Sequence, residues 1–444
     1  MTMIRLLARV AVSLTGALLA GPAIEAPQAA RYDLVIGGGT VIDGTGRGGA
    51  FSDVGVKDGR IAAIGRIARS QAAQWIDASG LVVSPGFIDV DTHADALVER
   101  PAAPNFVRMG VTTIVAGNCG WSALDVGAAL AALRDSPAAV NYATLIGHNT
   151  VRSAVMGSGN RAPSPAEMAR MKSLVWKAMA DGAVGFSTGL QDVPGAYPQA
   201  PEIVDLARVA ANAGGIYASH MRNDGTSLEQ AVAETIRVGE ATGARVEISH
   251  LKVDSPDRWG ASAKALAMID AARQKGIDVR ADQYAYTAVS SGLGAQMVYH
   301  IMSDDDVDRI MRHPQVAVAS DSGVLSFGDG LTHPRGYGDN ARVLGTYVRI
   351  RHVITLEEAI RKMTSLPAAH FKFANRGVVR VGYAADLVVF DPKTVADTAT
   401  VQAPHAYATG IPYVLVNGVV IVKNGTQTDA RPGQVIANSL LEKR

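Results

Sequence analysis

The chain has 444 residues, of which 48% are hydrophobic and 19% are charged. This composition is typical of a globular protein with a large core, and it excludes disordered, collagen-like and low-complexity classes. Because 42 basic residues balance 41 acidic ones without a basic stripe, nucleic acid is not an expected partner. The single cysteine, Cys119, excludes an intrachain disulfide.

The first 26 residues have the features of a secretory signal peptide. Arg5 and Arg9 precede an uncharged stretch, residues 10–22, that is too short to span a bilayer, and small residues follow it. We therefore expect residues 1–26 to be removed and the protein to be exported to a bacterial periplasm or secreted. An uncleaved anchor or a poorly ordered cytosolic N-terminus is the alternative. No later segment is apolar enough to predict a membrane span in the mature chain.

Both ends of the chain are rich in short β-type runs separated by Gly and Asp. These runs occupy residues 32–85 and return in residues 374–436, and they predict antiparallel hairpins. We interpret Gly37–Gly39 as a turn between two strands and not as a phosphate loop, because a strand and not a helix follows it. The two ends are predicted to pair into one small, discontinuous β-sandwich domain.

The middle of the chain, residues 86–373, alternates apolar strand-like runs with Ala-rich helical stretches. This alternation is typical of repeated βα units around a parallel sheet, and eight such units predict a (β/α)8 TIM-like barrel. The eight runs are residues 87–90, 112–116, 142–146, 183–186, 215–218, 245–248, 277–280 and 316–319.

Each run is followed by a polar residue that could take part in chemistry, and successive residues of this set are 26 to 39 positions apart. The active site of a (β/α)8 barrel lies at the carboxyl ends of its strands, so these side chains should converge on one rim. They are His93, Cys119, His148, Ser187, His220, His250, Asp282 and Asp321.

Imidazole, thiolate and carboxylate groups on this rim match the ligands that zinc prefers. The candidates are Cys119, His220, His250, His93 and Asp91. Taken singly, each has a structural interpretation, since a lone His is usually a satisfied structural residue and a lone Cys a small buried hydrophobe. Taken together, they predict a metal site.

Several rim motifs carry a family resemblance. They include residues 85–95 (PGFIDVDTHAD), 117–120 (GNCG), 248–252 (ISHLK) and 333–335 (HPR). These motifs resemble the D-aminoacylase (N-acyl-D-amino-acid deacylase) family of the amidohydrolase superfamily. The resemblance runs from Tyr32 nearly to the end of the chain. GNCG is its most specific part, because this family has a Cys where many relatives have a carboxylated Lys.

The resemblance implies a role for each matching residue. Cys119, His220 and His250 would hold a tightly bound zinc ion, and Asp321 would be the catalytic acid-base. From the sequence, a turn-capping role for Asp321 remains the alternative, since it stands in a Ser-Asp-Ser-Gly segment. Lys252 would help to bind the substrate carboxylate, a role that suits its charge.

The same resemblance gives Tyr284 and Ser290 a place beside Lys252 at the substrate carboxylate, with Arg222 and Arg335 as further candidates. A solvated Lys and ordinary packing residues are the alternative from the sequence. His148 or His93 could donate a hydrogen bond to the developing oxyanion.

This chain departs from the family pattern in two places. Asp91 stands where the family begins a His-x-His pair, so that only His93 of the pair is present. The sequence therefore predicts one tight zinc site and leaves a second site open. Asp282 and Asp321 are only 39 residues apart, whereas the family usually has a longer segment there. Substrate size and side-chain preference therefore cannot be transferred.

These features predict zinc-dependent hydrolysis of the amide bond of N-acyl amino acids of D configuration, giving a carboxylate and a free amino acid. The expected partner is thus a small molecule. One alternative is a dipeptidase, imidase or other cyclic amidase with the same chemistry. The other is a catalytically silent metal- or ligand-binding homologue.

Overall fold

The structure of this protein is a computed structural model that describes residues 31–290, 298–328, 330 and 332–438. The predicted signal peptide, residues 1–26, lies outside the described residues. Within the described part, no helix has both the length and the apolar character needed to cross a bilayer.

The described chain forms 21 strands: β1 Tyr32–Val41, β2 Ala50–Lys57, β3 Arg60–Gly65, β4 Ala72–Asp77, β5 Val82–Pro85, β6 Phe87–Asp89, β7 Thr92–His93, β8 Val111–Ala116, β9 Asn141–Gly147, β10 Gly185–Gly189, β11 Ile216–His220, β12 Arg245–Ile248, β13 Val279–Gln283, β14 Ala288–Ser290, β15 Val298–His300, β16 Val316–Val318, β17 Ser322–Gly323, β18 Leu387–Phe390, β19 Tyr413–Val416, β20 Val419–Lys423 and β21 Thr426–Gln427. The α-helices of the same residues are α1 Pro104–Arg108, α2 Val126–Asp135, α3 His148–Met156, α4 Pro165–Asp181, α5 Ala200–Asn212, α6 Leu228–Thr242, α7 Ser262–Gln274, α8 Asp304–Arg312, α9 Arg335–Arg342, α10 Leu356–Met363 and α11 Ser365–Phe371. A π-helix, Val343–Ile350, continues α9.

Eight parallel strands form the barrel, in the order β6-β8-β9-β10-β11-β12-β13-β16. Each overlaps one of the eight runs predicted from the sequence, and the predicted fold class is confirmed. The first and last strands meet through two short strands, since β7 pairs with β17 in parallel at the carboxyl end of the barrel. The rim that carries the predicted site is therefore closed between the segments that hold His93 and Asp321.

Local sequence signals define the outer helices, as α4 shows. The Ser164 side chain accepts a hydrogen bond from the backbone of Glu167, whose side chain bonds back to Ser164, and Gly182 ends the helix at φ +119°. This arrangement satisfies free backbone groups at the first turn. The buried face of α4 has helical spacing, and its members are Met171, Val175, Ala178 and Met179.

Strands from both ends of the chain form a separate nine-stranded sheet, in the order β21-β20-β19-β18-β5-β1-β2-β3, with β4 also paired to β1. The hairpins β1–β2 and β2–β3 are antiparallel, as predicted. However, β1 pairs in parallel with both β4 and β5, which the prediction of antiparallel hairpins did not include. The two halves meet where β5 pairs with β18.

The predicted turn at Gly37–Gly39 is wrong, because these residues lie inside the single strand β1. The pairing with β2 shifts register between Ile36 and Gly39, and Gly38 has φ +76°. The Gly38 N–H donates to the Asp53 carboxylate at 2.9 Å. The glycines therefore form a bulge within a strand, where a positive φ is needed, and not a turn between strands.

Alternation along β18 joins the β domain to the barrel. Leu387 and Val389 belong to the core of the β domain, whereas Val388 and Phe390 belong to the core that includes the barrel. Because successive side chains of a strand point to opposite faces, one strand contributes to both cores. The sheet therefore needs apolar residues at consecutive positions here.

A buried polar connection reinforces this junction. The Asp386 carboxylate accepts a hydrogen bond from Asn141 of the barrel strand β9 at 3.0 Å and from the Asn417 backbone at 2.7 Å. Arg376 also donates to Asp386. One carboxylate thus joins two segments of the C-terminal part of the β domain to a barrel strand.

Replacing Asp386 should destabilise the fold, because Asp386→Ala leaves Arg376 and Asn141 buried without this acceptor. We expect the free energy of unfolding to fall by about 3–5 kcal/mol, as when one partner of a buried ion pair is removed. Urea denaturation followed by circular dichroism measures this change. Asp33→Ala, which removes an exposed ion pair with Lys57, is the control and should leave the unfolding midpoint unchanged. Equal stability of the two variants would contradict the prediction.

Candidate metal centre

Three of the candidate residues have a left-handed backbone just beyond a barrel strand. The φ angle is +50° at Cys119, +38° at His250 and +49° at Asp321. This conformation costs an L-residue about 1–2 kcal/mol, because Cβ approaches the following carbonyl oxygen. Contacts from neighbouring strands must therefore hold these turns.

The turn that carries Cys119 shows how this is done. The Asn118 side chain donates to the carbonyl oxygens of Val90 and Val115, at 3.0 and 2.9 Å. The Ser187 hydroxyl accepts from the Gly120 backbone at 3.1 Å. Asn118 and Gly120 both belong to the GNCG motif, so this motif also fixes the backbone around Cys119.

The ligand atoms of Cys119, His220 and His250 lie within 4.8 Å of one another. The His250 Nε2 atom is 3.6 Å from the Cys119 sulfur and 2.9 Å from His220 Nδ1. A second group of atoms within 4.8 Å of one another comes from Asp91, Cys119, His250 and Asp321. Cys119 and His250 belong to both groups, so the two potential metal positions would share ligands.

Buried polar atoms test whether a cation fits here. Asp91 is fully buried, and neither of its carboxylate oxygens has a hydrogen-bond partner among the described residues; the same holds for His220 Nε2. An isolated carboxylate is costly to bury unless it is paired or coordinates a metal. The donor set of thiolate, imidazole and carboxylate is also the one that zinc prefers. These residues therefore fit a divalent cation.

The electrostatics of the cluster agree with this assignment. Burial, and then the Asp282 and Asp321 carboxylates, raise the pKa of Asp91 well above its usual value. Burial, and then Asp91 and Asp321, likewise raise the pKa of the Cys119 thiol. A bound divalent cation reverses both effects, because it binds the deprotonated forms of carboxylate and thiol.

Asp321 lies between two side chains predicted for the site. One carboxylate oxygen is 3.1 Å from His93 Nε2, and the other accepts from Arg335 at 2.8 Å. Burial alone would raise the pKa of Asp321, but Arg335, followed by His250 and His93, brings it well below its usual value. No backbone N–H donates to this carboxylate among the described hydrogen bonds. The turn-capping alternative for Asp321 therefore has no support in these contacts.

Lys252, Tyr284 and Arg335 form a cationic side of the cluster. The Lys252 amino group lies 2.8 Å from both His250 Nδ1 and the Asp224 carboxylate. The Arg335 guanidinium stacks over the Tyr284 ring at 4.5 Å from its centre. Two cations thus flank one buried phenol. Ser290 ends β14, in the hairpin with β15 that follows Tyr284 along the chain.

The structure gives His148 and Arg222 partners of their own. His148 Nε2 is 3.0 Å from the Glu202 carboxylate, which also accepts a hydrogen bond from Arg152 at 2.6 Å. Arg222 forms an ion pair with Glu234 at 2.9 Å and donates to two backbone carbonyls. The substrate-binding roles predicted for His148 and Arg222 stay predictions, as do those of Lys252 and Arg335, which also have carboxylate partners.

Sequence reasoning missed Asp224, which is 2% exposed and forms the ion pair with Lys252. Its Oδ2 atom also accepts from Gln191 at 3.1 Å. Asp224 follows the predicted ligand His220 by four positions, which was the available signal. The partner Lys252 comes from another strand end, so the sequence could not show the pair.

Comparison with known proteins agrees with this geometry. The amidohydrolase family profile matches residues 82–421. The chain is 38% identical to N-acyl-D-glutamate deacylase of Alcaligenes xylosoxydans xylosoxydans, over 91% of this chain and 96% of that protein. It is also 38% identical to D-aminoacylase of the same organism, over 92% of this chain and 98% of that protein. That second alignment runs over 479 positions, so the relative has residues that this chain of 444 lacks.

Solved structures give the same result. N-acyl-D-glutamate deacylase of Bordetella bronchiseptica, complexed with zinc and a phosphonate mimic of the tetrahedral intermediate, superposes with a TM-score of 0.87 at 39% identity, over 92% of this chain and 100% of that one. A D-aminoacylase structure gives a TM-score of 0.86 at 37% identity, over 91% and 99% of the two chains. The chain therefore belongs to the amidohydrolase family, in its D-aminoacylase branch.

Proposed function

We propose that this protein hydrolyses the amide bond of N-acyl-D-amino acids, giving a carboxylate and a free D-amino acid. The observation that carries this proposal is the cluster of Cys119, His220 and His250 beside Asp321, with the cations Lys252 and Arg335 on one side. The names of its relatives, N-acyl-D-glutamate deacylase and D-aminoacylase, support the same substrate class.

We propose that Cys119, His220 and His250 hold one tightly bound zinc ion. Bound there, zinc supplies Lewis-acid chemistry for the scissile carbonyl and for water. Asp91, Cys119, His250 and Asp321 offer a second, weaker set of ligands, because Asp321 is already paired with Arg335 and His93. Metal-dependent hydrolysis is consistent with membership of the amidohydrolase family. The two buried Asp91 oxygens, which have no hydrogen-bond partner among the described residues, support the presence of a cation.

Asp321 moves the proton in this proposal. Its low pKa keeps the carboxylate ionised at neutral pH, so it can accept the proton of the attacking water. The water oxygen bonds to the acyl carbon, and the same proton then passes to the amide nitrogen as the C–N bond breaks. His93, 3.1 Å away, orients the Asp321 carboxylate.

The Lys252 and Arg335 cations explain why the substrate would carry a carboxylate. Both are at most 9% exposed, so a carboxylate bound there is largely removed from water. Hydrogen bonds between ionised partners are about twice as strong as neutral ones. Tyr284, whose ring stacks with Arg335, could donate its hydroxyl to the same group.

We also propose that the protein is exported, from the signal-like residues 1–26. Cell fractionation and N-terminal sequencing of the mature protein test this proposal. A cytosolic protein that keeps Met1 would contradict it.

A panel of substrates tests the proposed function. We expect turnover of N-acetyl-D-amino acids, measured as release of the free amine, and none of their L-enantiomers. Lys252→Met should raise KM for these acids more than it lowers kcat. The reason is that a carboxylate that does not react is bound equally strongly in the ground state and in the transition state. Carboxamide analogues should not respond to this substitution. Turnover of dipeptides or cyclic imides alone would favour the first alternative, and no turnover at all would favour a silent homologue.

Asp321→Asn isolates proton transfer, because asparagine keeps the volume but cannot accept the proton. We expect kcat to fall by a factor of about 100 to 10,000, the range for loss of a general acid-base group. The zinc content should remain close to that of the wild type, and thermal unfolding checks that the variant is folded at the assay temperature. If the zinc-loaded variant kept more than about a tenth of wild-type kcat, Asp321 would not be the base.

The zinc content after dialysis tests the number of tight sites. We expect about one zinc per chain, because only one of the two groups found among the described residues contains two histidines and the thiolate. Cys119→Ala should lose this zinc, since Cys119 belongs to both groups, whereas Asp91→Asn should keep it. Elemental analysis measures both. Two zinc ions retained by the wild type would show that Asp91 is a full ligand and that the one-site proposal is wrong.

A further inference from the structure

Two buried carboxylates of the barrel have no part in the proposed reaction. Asp282 on β13 is 0% exposed and Asp89 on β6 is 1% exposed. Neither belongs to the groups of described residues whose atoms could hold a cation together. Burial of an acid is costly, so these two side chains need a physical reason.

Asp282 holds the backbone of a metal ligand. Its Oδ1 atom accepts the N–H of His250 at 2.8 Å, and its backbone carbonyl accepts the N–H of Leu251 at 2.8 Å. The ladder between β12 and β13 ends at the pair Ile248–Ala281. Beyond this pair, His250 turns to φ +38°. The carboxylate therefore supplies the acceptor for an N–H that the turn removes from the ladder.

Asp89 has the same relation to the segment of Asp321. Its Oδ1 atom accepts the N–H of Ser320 at 3.0 Å, and the next N–H, that of Asp321, donates to the Asp91 carbonyl at 3.0 Å. These bonds cross between the first and last strands of the barrel, just before β7 pairs with β17. They fix the turn in which Asp321 has φ +49°.

We propose that Asp282 and Asp89 are positioning residues for the reaction: Asp282 aims the ligand His250, and Asp89 aims Asp321, each by accepting a backbone N–H of the turn. The part that concerns Asp321 rests on the proposed function. The part that concerns His250 requires only that the cluster binds a metal. A carbonyl oxygen can accept the same hydrogen bond, so asparagine should replace either residue.

The chain offers a matched control in the β domain. Asp53 also accepts two backbone N–H groups, those of Gly38 at 2.9 Å and Ile67 at 2.8 Å, and is 8% exposed. It lies in the sheet formed by the chain ends and not on the barrel rim. The variant Asp53→Ala therefore shows how the loss of a purely structural carboxylate changes the stability of this protein.

Two measurements on each purified variant separate the roles: the zinc dissociation constant by competition with a chelator, and kcat per bound zinc. Asp282→Ala should weaken zinc binding by about 10–100-fold, the range for partners that orient a metal ligand, and Asp282→Asn should restore it. Asp89→Ala should lower kcat by about 10–100-fold with KM and zinc affinity unchanged, and Asp89→Asn should restore kcat. Asp53→Ala should lower only the unfolding midpoint.

Several results would overturn the proposal. One is a zinc affinity in Asp282→Ala equal to that of the wild type. Another is an Asn variant that loses as much zinc affinity or kcat as the matching Ala variant, because the negative charge and not the hydrogen-bond acceptor would then matter. Equal losses in Asp53→Ala would assign the effects to stability alone. If the wild type hydrolysed no N-acyl amino acid, the proposed function would fail, yet the zinc measurement would still decide the role of Asp282. Asp282→Val and Asp89→Val, which also lack an acceptor, replace any Ala variant that does not fold.

Discussion

A left-handed backbone at Cys119, His250 and Asp321 is the constraint on which the site depends. Each residue follows a barrel strand, so the strand fixes where the turn begins, and the turn decides where the side chain goes. The conformation is unfavourable for each residue alone. It persists because hydrogen bonds tie each turn to an adjacent strand: Asn118, next to Cys119, donates to the Val90 carbonyl, and Asp282 on β13 accepts the N–H of His250. The rigidity of the barrel is thus what makes the cluster possible.

The same cluster shifts the pKa values of two chemically identical acids, Asp91 and Asp321, in opposite directions. Asp91 has no hydrogen-bond partner among the described residues and has a raised pKa, whereas Asp321 is paired with Arg335 and has a lowered one. Environments that push the pKa values of neighbouring acids apart give those acids different tasks. Here the unpartnered acid suits a metal and the paired acid suits proton transfer. Asp91, where the family has a His, therefore adds to the site a carboxylate whose pKa the neighbouring Asp321 raises further.

The barrel could be predicted from the sequence because buried parallel strands are continuous apolar runs, each followed by a polar residue such as His250. Local signals failed elsewhere. Gly37–Gly39 gives the same glycine pattern in a bulge as in a turn. Strand β4 has no apolar run or alternation to predict it, because only Ile76 of that strand is buried. The partners of Lys252 and His148 could not be predicted, since ion pairs between distant segments leave no periodic pattern.

The discontinuous sheet sets an order in which the chain can fold. Strand β5 ends at Pro85, and its partner β18 begins at Leu387, about 300 residues later. At usual rates of synthesis, this interval lasts roughly 15–60 s. During that time the edge of β5 has no partner, and unpaired edges are sites of aggregation. Residues 387–427 thus complete the sheet that residues 32–85 begin, and a prematurely ended chain would keep an open edge beside a complete barrel.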